Sequence, residues 1–421
     1  MTGNIANLLA DIRIPKMAKV KQKFDPQKIE DVDSTLKQKL EAKGVRNTIK
    51  KGDRVAITAG SRGVANIVEI IRVTADFVKE CGGEPFVIPA MGSHGGATAE
   101  GQEEVLRGLG ITEETVGCPI RSSMETVVIG KTKNSYEVHY DKYAYEADSV
   151  VVIGRVKPHT SFRGKYESGL AKMITIGLGK QKGAQFCHQG SMLRIPEKVE
   201  EIASYVLEHG NVAFGIATIE NAYDETSIIE VLRKDEIMER EPHLLEIARS
   251  KMAHLMVDHL DVLVVDEIGK DISGTGLDTN IIKRYTYLPS EDFIQRIAIL
   301  GLTEKTMGNG NGIGFADVCS KRVEKQFDKE KTYPNPITSR APTAVRLPMV
   351  MENDLLTIKA AIKTCVDVDY NNIKMIRIKN TLALSEILVS EALLPEMLKN
   401  PNVELIQEPE YMHFDEKGNL F

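Results

Sequence analysis

Short apolar runs alternate with amphipathic helical patterns along this chain, and that alternation restricts it to an α/β fold with parallel strands. Residues 54–58 are followed by a helical pattern over 65–79, and residues 85–89 by another over 98–109. Parallel neighbours need crossover connections, and the crossovers lay helices on both faces of the sheet. Further apolar runs occupy 149–153, 212–218 and 261–265. The first and last are nearly all apolar, as strands covered on both faces must be. The fold expected is an N-terminal doubly wound, mostly parallel sheet followed by a smaller C-terminal α/β domain.

Length supplies the second constraint. A chain of 421 residues, 42% hydrophobic and 27% charged, carries apolar material for two cores. Beyond residue 265, glycine-rich stretches at 274–276 and 308–314 precede a helical pattern at 354–364 and a strand-like run at 373–378. A domain change near 255–265 divides the chain into a catalytic, cofactor-binding domain over 1–257 and a second domain over 258–402, with the tail 403–421 packing back on the first.

Composition removes several functions. A formal net charge of -6 argues against coating nucleic acid, which calls for a basic face that neutralises phosphates. The five cysteines, Cys81, Cys118, Cys187, Cys319 and Cys365, are odd in number, scattered and without a CxxC pair. They indicate neither a disulfide framework nor a zinc cage, and a reducing compartment suits them. Asp11, Arg13, Lys16 and Lys19 interrupt the apolar residues at the start, unlike a signal peptide, and no run approaches membrane-spanning length. The expectation is a cytoplasmic protein whose partners include neither nucleic acid nor membrane.

In doubly wound sheets, ligands bind outside the carboxyl ends of the strands, and three such loops carry candidate residues. Gly60-Ser61-Arg62-Gly63 joins a strand to a helix. Its backbone N–H groups and the Arg62 guanidinium suit a carboxylate or phosphate, although glycines in such loops also serve conformation alone. Met91-Gly92-Ser93-His94-Gly95-Gly96 exposes His94, whose neutral imidazole is a base near pH 7. The stretch 154–190 sets His159, Lys172 and His188 around glycine-rich turns. His159 follows Pro158 at the end of a buried strand, so two imidazoles can face one substrate from opposite sides. Inverting a carbon that bears hydrogen requires a proton acceptor for each enantiomer. Gly177, Gly179 and Gly183 separate Lys172 from His188, so the pair forms no single-helix metal motif of the HExxH kind. As bare residues they read as a solvated lysine and an ordinary histidine.

The ordered set GSRG, PAMGSHGG, KPH, SGLAK and CHQG, covering most of residues 50–190, resembles the nickel-dependent lactate racemase family of 2-hydroxyacid racemases and epimerases. The resemblance implies that Arg62 binds the substrate carboxylate and that His94 and His159 form the acid/base pair. It implies that Lys172 anchors or contacts a nickel-pincer nucleotide, with Gly60, Ser61 and Gly63 beside it, and that His188 is the protein ligand to nickel. Glu267 and Lys270, in DEIGK, match a glutamine and a lysine that reach the substrate from the second domain. The implied cofactor is a pyridinium thioamide/thiocarboxylate mononucleotide carrying Ni(II), made by cofactor-biosynthesis proteins. One imidazole completes its square plane, a geometry natural to nickel. The implied reaction inverts C2 of a 2-hydroxyacid. The α-hydrogen is too poor an acid to leave as a proton, so hydride moves to the ring and back while a histidine takes the hydroxyl proton.

The chain departs from that pattern at particular places. Ala59 stands where the family has an aspartate. Glu267 in place of glutamine puts a negative charge beside an anionic substrate unless it is protonated or paired. The segment between His159 and Lys172 looks longer and adds Arg163 and Lys165, a site for a second carboxylate or polyhydroxylated acid, or else a solvated basic turn. Tryptophan is absent. Two other readings stand beside the racemase. One is a zinc-type hydrolase with His94, His159 and His188 as ligands, the other a non-catalytic nucleotide- or metal-binding protein.

Overall fold

The structure, a computed structural model, describes residues 3–189, 192–291 and 293–420. Gly190, the last residue of CHQG, lies outside the described residues. The chain divides into a medial unit, Asp25–Met252, and a terminal unit made of Met1–Phe24 with Ala253–Phe421. In chain order the strands are Met17–Gln22 (β1), Arg54–Ala59 (β2), Glu84–Pro89 (β3), Thr126–Lys131 (β4), Glu137–Asp141 (β5), Ser149–Arg155 (β6), Val212–Glu220 (β7) and Thr226–Arg233 (β8). They continue with Leu260–Val265 (β9), Ile294–Ile299 (β10), Val318–Ser320 (β11), Met349–Met351 (β12), Met375–Ile378 (β13), Glu386–Ser390 (β14) and Val403–Glu410 (β15).

The medial unit is built on a sheet of order β3-β2-β6-β7-β8. β3, β2, β6 and β7 run parallel, and β8 closes one edge antiparallel. β6 is buried along nearly its whole length, which explains its uninterrupted apolar sequence. Helix Ile67–Glu80 turns Ile70, Ile71, Phe77 and Val78 into a core shared with Val55, Ile57, Val87, Val151, Ile153 and Phe214. From β2 the chain crosses to β3 on one side and later returns to β6 on the other. β2 and β6 therefore flank the point where strand order reverses, and the crevice beyond their carboxyl ends is the favoured place for a ligand.

The terminal unit repeats this logic with a different edge. Its sheet has the order β12-β11-β10-β9-β13-β14-β1-β15, parallel from β12 to β13 and antiparallel from β13 to β15. Val262, Val264, Ala298, Leu300, Ile358 and Met375 form its core. Here the observed division departs from the expected 1–257 and 258–402. β1 lies between β14 and β15, so residues 1–24 belong with the C-terminal half, as does the tail expected to rejoin the first domain. The cause is backbone pairing: inserted between two strands, β1 satisfies hydrogen-bonding groups on both of its edges. No helix among the described residues is long and apolar enough to cross a membrane.

Ile57 is fully buried in the middle of β2. Ile57→Ala should destabilise the medial unit by about 2–5 kcal/mol, the range for truncating a well-packed core side chain. Equilibrium urea unfolding would measure it, and an unchanged midpoint would contradict the packing described.

Candidate active site at the β2/β6 switch point

The loop leaving β2 carries Gly60, Ser61, Arg62 and Gly63. A Cβ on Gly60 would come within 3.1 Å of Met173 Cε, while Gly63 faces Leu109 more loosely, at 3.9 Å. The Arg62 guanidinium has no hydrogen-bond or ion-pair partner among the described residues. Burial, and then the charge of Arg155, lower its pKa. Arg155, by contrast, is paired with Glu220, which also accepts from Ala65 N at 2.8 Å.

The loop leaving β3 turns sharply through glycines with positive φ, Gly92 at 60° and Gly95 and Gly96 at 65°. A Cβ on Gly95 would stand 2.5 Å from the Gly101 backbone, so this position tolerates only glycine. His94 Nδ1 lies 2.8 Å from Met91 O and 3.1 Å from Ser61 Oγ. A carbonyl oxygen only accepts, so Nδ1 carries a proton, and the neutral tautomer consistent with this contact has its lone pair on Nε2.

The loop leaving β6 is closed by pairing between Lys157 and Ser168. Its hub is Glu167, whose side chain is fully buried. Glu167 accepts from the backbone N–H of His159 at 2.6 Å and of Gly164 at 3.3 Å, and it is clamped by Arg249. The His159 ring stacks on Phe162 with centroids 4.0 Å apart. Ser161 N–H donates to His159 Nδ1 at 3.1 Å, so the neutral ring holds its proton on Nε2. Burial, followed by the neighbouring Lys172, His188, Arg163 and Arg62 groups, which disfavour a second positive charge, pulls the His159 pKa well below the usual histidine range. One imidazole thus starts as a proton acceptor and the other as a hydrogen-bond donor. Arg163 donates to the carbonyls of His159 and Phe162. Lys165 pairs with Glu200 at 3.2 Å. Both cations are engaged by the protein, which accounts for them without a second substrate carboxylate.

The segment after this loop is fixed by a buried carboxylate. Glu241 accepts from Ala171 N at 2.9 Å. Burial pushes its pKa up to about 7, against the lowering effect of the Ala171 and Leu170 N–H groups. Gly169 makes this approach possible, since a Cβ there would meet Glu241 Oε1 at 2.5 Å. The short helix Leu170–Lys172 then runs into a π-helical turn, Met173–Gly177, a distortion often found at functional sites. Lys172 has no hydrogen-bond or ion-pair partner among the described residues. Its ammonium lies 5.9 Å from the Phe162 ring centroid, and burial, then Arg62, lowers its pKa to about 8. Helix Lys180–His188 ends with His188, whose buried Nδ1 has no hydrogen-bond partner among the described residues. Burial, then Lys172, Lys198 and His94, lower the His188 pKa. Lys198 caps this helix by donating to the carbonyls of Phe186 at 2.8 Å and Gln189 at 2.6 Å, the favourable placement for a cation at a helix C-terminus.

Arg62, His94, His159, Lys172 and His188 are therefore close enough to perturb one another's charge. Among the described residues, no three His, Cys, Asp or Glu side chains group as a metal-ligand set. The three-histidine zinc hydrolase consequently has no geometric support. Glu267 and Lys270 lie in the terminal unit, just beyond the carboxyl end of β9. Glu267 Oε1 accepts from Asn380 at 3.0 Å and sits 3.9 Å from Lys379 Nζ, so its charge is paired there. Lys270 Nζ donates to Gly274 O at 2.9 Å. Sequence reasoning missed Glu167, Glu241 and Lys198. They are ordinary charged residues outside every motif, and only the fold reveals what they hold.

Residues 7–200 match the lactate racemase N-terminal domain family, a span that includes all five clustered residues. The lactate racemase apoprotein from Thermoanaerobacterium thermosaccharolyticum has a TM-score of 0.53 at 13% identity, over 87% of this chain and 99% of that one. A protein from Thermotoga maritima gives 0.51 at 13% identity, over 86% of this chain and 99% of that one. At such identity the structural likeness establishes the fold. No curated protein sequence matches the chain.

The low Lys172 pKa, about 8, makes its amine increasingly uncharged, and hence nucleophilic, as pH rises through that value. Acetic anhydride labelling followed by peptide mass spectrometry should find Lys172 reacting at a lower pH than the surface lysines. Modification in step with the surface lysines would contradict the burial described.

Proposed function

For a chain that belongs to the lactate racemase family over residues 7–200, we propose racemisation or epimerisation at C2 of a 2-hydroxyacid. The observation that carries this reading is two imidazoles of opposite polarity on the loops of the medial sheet's switch point, with a guanidinium there that has no hydrogen-bond or ion-pair partner among the described residues. The enzyme class is accordingly an isomerase.

The residues present suit a nickel-pincer nucleotide. His188 offers a buried ring nitrogen with no hydrogen-bond partner among the described residues, as a metal ligand requires. Lys172 offers an unpaired amine of lowered pKa, suited to contact or covalent attachment. Lys172 and His188, with the loop of Gly60, Ser61 and Gly63, would hold the group. When bound, it supplies a reversible hydride acceptor for C2.

The chain's own residues do the rest. Arg62 binds the carboxylate and so orients C2 and its hydrogen within the site. His94 Nε2 takes the hydroxyl proton, while the Met91 carbonyl keeps the imidazole in the tautomer that can do so. His159 Nε2–H meets the substrate oxygen on the other side, and Phe162 against its ring excludes water there. Glu167 keeps the His159 loop in place without touching the ring. A non-catalytic binding protein would have the same unpaired cations but no need of two oriented imidazoles.

The test is NMR of α-hydrogen exchange and inversion with enantiopure lactate, malate and gluconate, using protein co-produced with the cofactor pathway. Inversion of one or more of these acids is expected. His94→Gln should slow it by roughly 100-fold or more, the usual contribution of a general base. Cofactor-loaded protein that binds these acids and never inverts them would leave only the binding reading.

A further inference from the structure

We propose that Lys180 is a positioning residue, which locks the loop of His94 and the helix of His188 together through a fully buried ammonium group. Its side chain is 0% exposed, and that of its partner Asp141 is 1% exposed. The ammonium donates to Pro89 O at 2.5 Å and to Gln102 Oε1 at 3.2 Å, and its third contact is an ion pair, 3.0 Å from Asp141 Oδ2. Gln102, itself fully buried, carries the connection onward. Its Nε2 donates to Gly92 O at 2.9 Å and to His94 O at 3.3 Å. The last carbonyl of β3 directly, and two carbonyls of the His94 loop through one amide, are thereby referred to a single charge.

The same residue opens the helix Lys180–His188. Its φ of 52° is the left-handed conformation that a lysine adopts only when its surroundings impose it. The turn before it forms around Gly179, where a Cβ would stand 2.4 Å from Thr175 O. Backbone strain and a buried charge therefore coincide at one residue between the proposed base and the proposed metal ligand. A buried ion pair adds little stability compared with an apolar pair of similar volume. What it does supply here is direction, because the ammonium aims at the carbonyl that ends β3 and the amide beside it aims at two in the His94 loop. Asp141 is fixed in turn by accepting from Ala144 N at 2.9 Å, so the anion cannot drift with the helix.

The catalytic meaning of this lock rests on reading His94 as the base and His188 as the ligand, but the positioning can be measured without any turnover. The experiment compares imidazole ¹⁵N–¹H NMR signals of His94 and His188 in the full-length chain and two variants. Lys180→Met/Asp141→Leu removes both charges together and so avoids stranding either one. Gln102→Met cuts the link to Gly92 O and His94 O, together with one acceptor of the Lys180 ammonium, and leaves the Pro89 contact and the Asp141 ion pair in place. The double variant should move both histidine signals, and Gln102→Met should move that of His94 alone. In cofactor-loaded protein that inverts a hydroxyacid, each variant should lower kcat by about tenfold or more with KM little changed, as small displacements of reacting groups do. A folded double variant with parental histidine signals would overturn the proposal. If the double variant does not fold, a parental His94 signal in Gln102→Met overturns it alone.

Discussion

The site depends on where β2 and β6 part. Their parallel pairing runs through Val55 with Ser149, Ala56 with Val150 and Ile57 with Val151. Beyond it the Thr58 hydroxyl takes over, accepting from Ile153 N at 2.9 Å. A side chain inserted in place of a ladder bond satisfies the buried backbone while letting the strands diverge. The loops that follow carry Arg62 from β2 and His159 from β6, near enough for the guanidinium to disfavour a charge on the imidazole. The β3 loop brings His94 beside the first of these, within reach of Ser61.

What gathers around this opening is an excess of cations and neutral imidazoles. Arg62 and Lys172 have lowered pKa values because burial disfavours their charge, as do Arg155 beside Arg62 and Arg62 beside Lys172. Carboxylates nearby are already committed: Glu220 to Arg155, Glu167 to Arg249 and to backbone N–H groups, and Glu241 to Ala171. An anion entering the crevice would relieve this imbalance, and a crowded, weakly hydrated setting strengthens its attraction. The same desolvation keeps His159 and His188 uncharged, the state needed for a hydrogen-bond donor with a fixed tautomer and for a metal ligand.

The sequence disclosed the parts of this arrangement that are local. Apolar runs located β2, β3, β6, β7 and β9, and glycine-flanked histidines marked the loops at their carboxyl ends. Partners distant along the chain left no such trace. β1 pairs with strands formed by residues 386–390 and 403–410, and nothing in six residues of mixed polarity announces that. The anchors Glu167, Glu241, Lys198 and Lys180 are equally silent, because a buried charge and a surface charge are spelled by the same residue type. Glu267 was legible only as a problem, an acid where an amide was expected, and its answer lay in Asn380 and Lys379.

The most direct measurement is the nickel content of protein co-produced with the cofactor pathway, compared with His188→Ala and His94→Gln made in the same way. The account predicts nickel in the parent and in His94→Gln, and its loss from His188→Ala. A parent without nickel, or a His188→Ala protein that retains the parental amount, would contradict the assignment of this crevice to a nickel-pincer nucleotide.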